Sequence, residues 1–156
     1  MKITFTVNGR PTTTDVGPTE SLMWALRRLG WTGVKNGCDN GDCGTCAVLV
    51  DGRAVNACLM FSAKADGRSI VTIEGLGVDG GLHALQRTAI ESGAVQCGFC
   101  TPGMLLTAAD LLARNPRPTE REVREALVGN LCRCTGYVKQ IEGVLAAAAA
   151  MAAGER

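Results

Sequence analysis

Four thiols constrain the first half of this chain more than any other feature. Cys38, Cys43 and Cys46 fall within nine residues, and Cys58 follows after eleven more. This Cys-x4-Cys-x2-Cys…Cys spacing is the plant-type arrangement of four thiolates around a [2Fe-2S] cluster. A loop that wraps such a centre has to converge its sulfurs while turning backbone N–H groups inward, towards an anionic shell. Gly41 and Gly44 lack the Cβ that opposes positive φ, so they suit a main chain bent that tightly. The loop predicts an iron-sulfur, electron-carrying site at Cys38, Cys43, Cys46 and Cys58.

Cysteine usage narrows the alternatives. The chain holds eight cysteines in 156 residues, and its N-terminus alternates like a strand where a secreted chain has a long apolar leader. Both point to metal or redox chemistry in a reducing, cytoplasmic compartment. A single histidine, His83, excludes a Cys2His2 zinc finger and a Rieske centre, each of which needs two. Zinc held by four thiolates stays open, with Cys43/Cys46 and Cys97/Cys100 as its two Cys-x2-Cys pairs. That reading leaves unused the x4 spacing before Cys43 and the Cys132-x-Cys134 pair. The balance of 16 basic against 15 acidic residues predicts neither a nucleic acid nor an anionic membrane surface as partner. The sequence also lacks an apolar run of the roughly 18 residues that a membrane span needs.

Taken in order, the chain opens with a hairpin over residues 2–7 and 10–16, where Ile3, Phe5 and Val7 alternate with polar neighbours around an Asn8-Gly9 turn. Pro18 to Ser21 supply a helix start, and Leu22, Ala25, Leu26 and Leu29 repeat at helical spacing before Gly30. Trp24 and Trp31 read as packing or interface residues. A second hairpin over 47–56 turns at Asp51-Gly52, and a last strand is predicted over 69–73. Residues 74–81 are half glycine and read as a linker. They also spell Gly75-x-Gly77-x-x-Gly80, but no βαβ unit surrounds that pattern to make a dinucleotide site.

Beyond the linker the periodicity turns helical. Leu82, Leu85, Ala89 and Ile90 share a predicted face over 82–92, where His83 reads as an ordinary surface or packed residue. A second helix starts at Pro102 and stops at Asn115-Pro116. A third is announced by the capping pair Thr119 and Glu122 and carries Val123, Ala126 and Leu127. A fourth runs from about Val138 through the alanine-rich stretch, with Ile141, Val144 and Leu145 to bury. Cys97, Cys100, Cys132 and Cys134 lie where these helices begin or end, and helix N-termini direct unpaired N–H groups at an anion. Together the two groups use all eight cysteines, four and four.

The N-terminal group, the run from Gln96 through Cys97-Gly98-Phe99-Cys100 to Met104, and the run from Gly129 through Cys132-Arg133-Cys134 to Tyr137 resemble the small iron-sulfur subunit of the xanthine oxidase family of molybdenum hydroxylases. The likeness spans essentially the whole chain. It implies an α+β chain: a β-grasp, plant-type ferredoxin-like domain over 1–76, then an all-α four-helix-bundle domain over 77–156, each with one [2Fe-2S] cluster. It also implies a large molybdenum-pterin subunit and a medium FAD subunit as partners in a hetero-oligomer, since the chain ends at Arg156 without either domain. By the family pattern Gln96 and Cys134 lie towards the pterin, and the Cys38–Cys58 cluster lies towards the electron acceptor. Arg133, between two ligands, reads either as an interface ion pair or as a charge that eases reduction of the cluster. The family's usual Cys-Gly-Ala-Cys is here Cys43-Gly44-Thr45-Cys46. A free-standing two-cluster ferredoxin is the alternative; such carriers dock through strongly charged faces, which a near-zero net charge does not favour.

Overall fold

Strand β1 (Lys2–Val7) turns Ile3, Phe5 and Val7 inwards and pairs antiparallel with β2 (Arg10–Asp15). The two residues between them, Asn8 and Gly9, both sit at positive φ (52° and 75°), as a type I′ turn requires. The computed structural model describes residues 1–77 and 80–155. Helix α1 (Leu22–Arg28) starts at Ser21, whose hydroxyl caps the Trp24 N–H, and buries Leu22, Met23, Ala25 and Leu26. Trp24 points out to solvent, and Leu29 falls at the cap, not in the buried stripe. Strands β3 (Ala47–Val50) and β4 (Arg53–Asn56) form the second hairpin, and β5 (Ser69–Val71) runs parallel to β1 and antiparallel to β3. The sheet order is β2-β1-β5-β3-β4.

Strand β5 ends two residues before the predicted Ile73. The Thr72 N–H leaves the ladder for the Asn8 side chain, and Ile73–Gly75 coil into a 3₁₀ turn. The glycine-rich segment is packed at its start: Gly75 lies against Asn8, and Leu76 is buried among the helices. Val78 and Asp79 of the predicted linker lie outside the described residues.

Helices α2 (Ala84–Glu91), α3 (Thr101–Arg114), α4 (Glu120–Leu127) and α5 (Val138–Ala152) follow. In α2 the predicted face is shifted. His83 is the N-cap, its Nδ1 accepting from the Leu85 N–H while Gln86 reaches back to the His83 N–H, so Leu82 precedes the helix and is exposed. Ala84, Leu85, Thr88 and Ala89 form the buried stripe, and Ile90 lies 100° round from Ala89, in solvent. The Thr119/Glu122 capping box opens α4 as expected. Among the described residues no helix is long and apolar enough to cross a membrane.

Two hydrophobic cores result. One lies between the sheet and α1 and holds Phe5, Leu26, Val48 and Ile70. The other lies among the helices and holds Leu85, Leu106, Val123 and Ile141. Strand β3 serves both, with Val48 and Val50 in the first core and Leu49 in the second. A strand buried on both faces reads as the unbroken apolar run Ala-Val-Leu-Val. Helix α3 lies on that outer face of the sheet, and its buried Asp110 takes Arg53 from β4 and Arg114 from its own next turn, both Nε atoms 3.0 Å from Oδ1.

Candidate metal centres

The first cysteine loop wraps as its glycines suggest, with Gly41 at φ 92° and Gly44 at φ 66°. Asp39 joins them at φ 60°, its carboxylate accepting from the Trp24 indole N–H at 3.2 Å. Main-chain N–H groups converge on Cys38. The Asn40 N–H is the strongest influence, opposed by partial burial and seconded by Cys43 and Asp42, and together they lower the thiol to about 7. The Cys43 N–H lies 3.4 Å from Cys38 Sγ. Cys46 is buried, and burial first, then its neighbours Cys58 and Cys43, push it up to about 12. Asn56 holds the loop from β4 by donating to the Gly41 carbonyl at 3.1 Å.

Cys100 caps the start of α3, Cys97 stands on the exposed approach to it, and Cys132 and Cys134 come from the loop between α4 and α5. Cys134 Sγ lies 3.5 Å from Cys97 Sγ, and this contact raises Cys134. Cys100 is pushed up to about 12 by burial and by its neighbour Cys132. Burial acts the same way on Cys132, but the Thr135 hydroxyl and N–H, the Cys134 N–H and the Gln140 amide outweigh it and lower the thiol to about 6. Tyr137 holds the loop in a strained left-handed conformation (φ 72°), its hydroxyl accepting from the Cys132 N–H at 2.8 Å. Within the first group Cys43 lies beside Cys38 and Cys46 beside Cys58; within the second Cys97 lies beside Cys134 and Cys100 beside Cys132. The sulfurs meet in pairs; among the described residues no three candidate ligands meet at one ion-sized point.

Main-chain amides at Cys38, and the Thr135 hydroxyl with neighbouring amides at Cys132, hold these two thiols near ionisation at neutral pH, as metal thiolates require. The two buried thiols, Cys46 and Cys100, are disfavoured as lone anions, and a bound cation reverses that preference. The donor set, soft sulfurs under main-chain N–H groups, fits an iron-sulfur cluster at each group.

The two groups face one another. Cys43, Thr45 and Gly37 line one side of a depression of about 440 Å³, and Cys97, Cys100, Cys132, Arg133 and Cys134 line the other. Their loops also touch: the Leu131 N–H donates to the Cys43 carbonyl at 2.9 Å, and the buried Asn130 amide donates to the Gly44 carbonyl at 3.1 Å. Gly44 and Gly103 make this approach possible. A Cβ on Gly44 would stand 2.3 Å from the Gly129 carbonyl oxygen, and one on Gly103 would stand 2.2 Å from that of Gly44. Gln96, Cys97 and Cys134 are exposed. Asn130, Tyr137 and Gln140 support the site but carry no ligand-type signal, so sequence reasoning passes them over.

Residues 5–70 match the family model of a 2Fe-2S iron-sulfur cluster binding domain, and residues 72–145 match that of a [2Fe-2S] binding domain. The chain is 51% identical over 146 residues to the nicotine 6-hydroxylase small subunit of Paenarthrobacter nicotinovorans, covering 93% of this chain and 88% of that one. It is 46% identical over 148 residues to the xanthine dehydrogenase iron-sulfur-binding subunit of Escherichia coli O157:H7, covering 93% and 92%. Among solved structures, quinoline 2-oxidoreductase from Pseudomonas putida 86 superposes with a TM-score of 0.94 at 47% identity, covering 100% of this chain and 98% of the matched one. The chain belongs to the small iron-sulfur subunits of the xanthine oxidase family of molybdenum hydroxylases.

Proposed function

We propose that Cys38, Cys43, Cys46 and Cys58 hold one [2Fe-2S] cluster, that Cys97, Cys100, Cys132 and Cys134 hold a second, and that the chain carries electrons between partner subunits of an oxidoreductase complex. The observation that carries this reading is the seam: the two cysteine groups face each other, and their loops are joined by hydrogen bonds from the Leu131 N–H to the Cys43 carbonyl and from the Asn130 amide to the Gly44 carbonyl. The Leu131 bond links Cys43 to Cys132 through main-chain atoms. When bound, each cluster supplies a one-electron centre, which lets a two-electron oxidation on a partner be handed on in single steps.

The exposed pair Cys97 and Cys134, beside Gln96, marks the face for a large molybdenum-pterin subunit, where electrons enter. Exposed Val95, Phe99 and Leu131 surround it, an apolar patch of the kind that a partner covers. Exposed Trp24 and Leu59 lie against Asp39 and Gly41 of the first cysteine loop, where a medium FAD subunit would receive electrons. The chain is then one member of a hetero-oligomer. Its eight unpaired thiols favour the cytoplasm. The two separate cores favour a β-grasp domain over 1–76 and a four-helix bundle over 77–156.

Cys43→Ser in the assembled complex tests the assignment and its direction. The N-terminal cluster's EPR signal should be lost while substrate still reduces the C-terminal cluster, and turnover with the external acceptor should collapse. Parent-rate turnover, or loss of C-terminal reduction by substrate, would overturn the order.

A further inference from the structure

Thr45 lies between two ligands of the first group and is 5% exposed. Its Oγ1 stands 3.2 Å from Cys43 Sγ, the one partner this hydroxyl has among the described residues. The fit around that pair is close: a Cβ on Gly37 would stand 2.8 Å from Thr45 Oγ1 and 2.9 Å from Cys43 Sγ. Thr45 sits in the wall of the depression between the two cysteine groups with little of its surface exposed, and a buried hydroxyl without a partner is costly.

The direction of this bond follows from the ligand assignment above, on which the inference rests. A ligating sulfur carries no proton, so the proton in the pair has to be the hydroxyl's: Oγ1–H donates and Sγ accepts. We propose that Thr45 sets the reduction potential of the N-terminal cluster through this bond and raises it above the value that the cluster would have with alanine in its place. One electron entering the cluster adds negative charge, spread over its sulfurs. A donor fixed on one of those sulfurs in a low-dielectric setting favours the reduced form more than the oxidised form. No bond forms or breaks, and the proton stays on Oγ1.

The second group offers an internal contrast. Thr135 Oγ1 lies 3.1 Å from Cys132 Sγ, at nearly the same separation. That hydroxyl also lies 2.7 Å from Gln140 Oε1, which can only accept from it, and it accepts from the Tyr137 N–H at 3.3 Å, so Cys132 shares its single proton with a closer acceptor. The two threonine contacts look alike by distance, yet among the described residues only at Thr45 is the sulfur the hydroxyl's sole acceptor. Raising the potential of the N-terminal cluster alone makes electron movement across the seam, from the Cys132 side to the Cys43 side, more favourable.

The test is a redox titration of the assembled, iron-loaded complex, with each cluster followed by its own EPR signal, for the parent and for Thr45→Ser, Thr45→Ala and Thr45→Val. Ser keeps the donor without the methyl group; Ala removes both at nearly the same size as Ser; Val keeps the shape without the donor. In Ala and Val the equilibrium constant for one-electron reduction of the N-terminal cluster should fall about tenfold, roughly 59 mV for a one-electron couple. Ser should stay at the parent value, and the C-terminal cluster should not move in any of the four. Equal potentials in Ser and Ala, or a shift of both clusters together, would overturn the role of Thr45. Because Ser and Ala are both smaller than Thr, they give this comparison even where Val fails to load its cluster. A parent complex without an N-terminal cluster signal would instead overturn the ligand assignment.

Discussion

Gly103 stands third in α3, where helix propensity and the seam make opposite predictions for alanine. In a helix interior Ala is favoured over Gly by about 1 kcal/mol. Here a Cβ would lie 2.2 Å from the Gly44 carbonyl oxygen, 3.1 Å from Thr45 Cα and 3.2 Å from the Gly44 carbonyl carbon, all of them main-chain atoms that cannot rotate aside. Restoring ordinary contact requires α3 and the ligand loop to part by about 1 Å. Overpacking of this kind costs about 1–3 kcal/mol, and a clash with main chain belongs in the upper part of that range. After the propensity gain, a net loss of about 1–2 kcal/mol remains, which lowers the melting temperature of a chain this size by about 2–8 °C. The assay is the visible absorption of the iron-sulfur chromophore during a thermal scan of the assembled complex, at one heating rate for all variants. Gly129→Ala is the control: it has ordinary φ and no atom within 4 Å of its Cβ, and should stay within about 0.5 kcal/mol of the parent. A Gly103→Ala complex as stable as the parent, or more stable, would refute the reasoning.

Two further outcomes are expected. Asp110→Ala removes the shared acceptor of Arg53 and Arg114, and because both arginines can turn out to solvent the loss should be about 1–3 kcal/mol in denaturant unfolding, with Arg53→Ala milder. Neutral His83 caps α2 through Nδ1, and burial lowers its pKa, so the unfolded chain binds a proton more readily than the folded one. Stability from this cap is complete above about pH 6.5 and declines as pH falls below it. His83→Asn keeps a capping oxygen without the proton, and should flatten that decline in unfolding curves recorded from pH 7 to 5.

Elements specified by local chemistry were legible. The turns at Asn8-Gly9 and Asp51-Gly52, the Thr119/Glu122 box and the αL glycines of the first loop all depend on neighbours in sequence. The errors arise where the partner is distant or where a residue takes a local role unusual for its type. Strand β5 stops early because Asn8, more than sixty residues away, takes the Thr72 N–H. The face of α2 shifts because His83 is a cap, a role that Ser, Thr, Asp and Asn usually fill. Asp110 breaks the apolar pattern of α3 and is nonetheless buried, since an arginine from another strand meets it. At the site, Gly103 reads as an indifferent residue early in a helix, and only the opposing loop gives it a function.

The character of the seam bears on how the two centres work together. Its contacts are largely main chain: Leu131 N–H to the Cys43 carbonyl, Gly103 on the Gly44 carbonyl, and Gly44 on the Gly129 carbonyl, with one side chain, Asn130, added. Side-chain contacts allow several rotamers and tolerate drift, whereas main-chain atoms within closed loops move only with the whole loop. Two domains joined by a glycine-rich segment alone would vary in separation, since such segments behave as flexible coil. Contact between backbones beside Cys43 and Cys132 removes that freedom between the two proposed ligand sets. Arg53 and Asp110 hold the same two layers together further along α3, so the closure rests on two points and resists rocking. A fixed separation lets an electron cross without a conformational step, which suits a chain whose only chemistry is to carry one electron at a time.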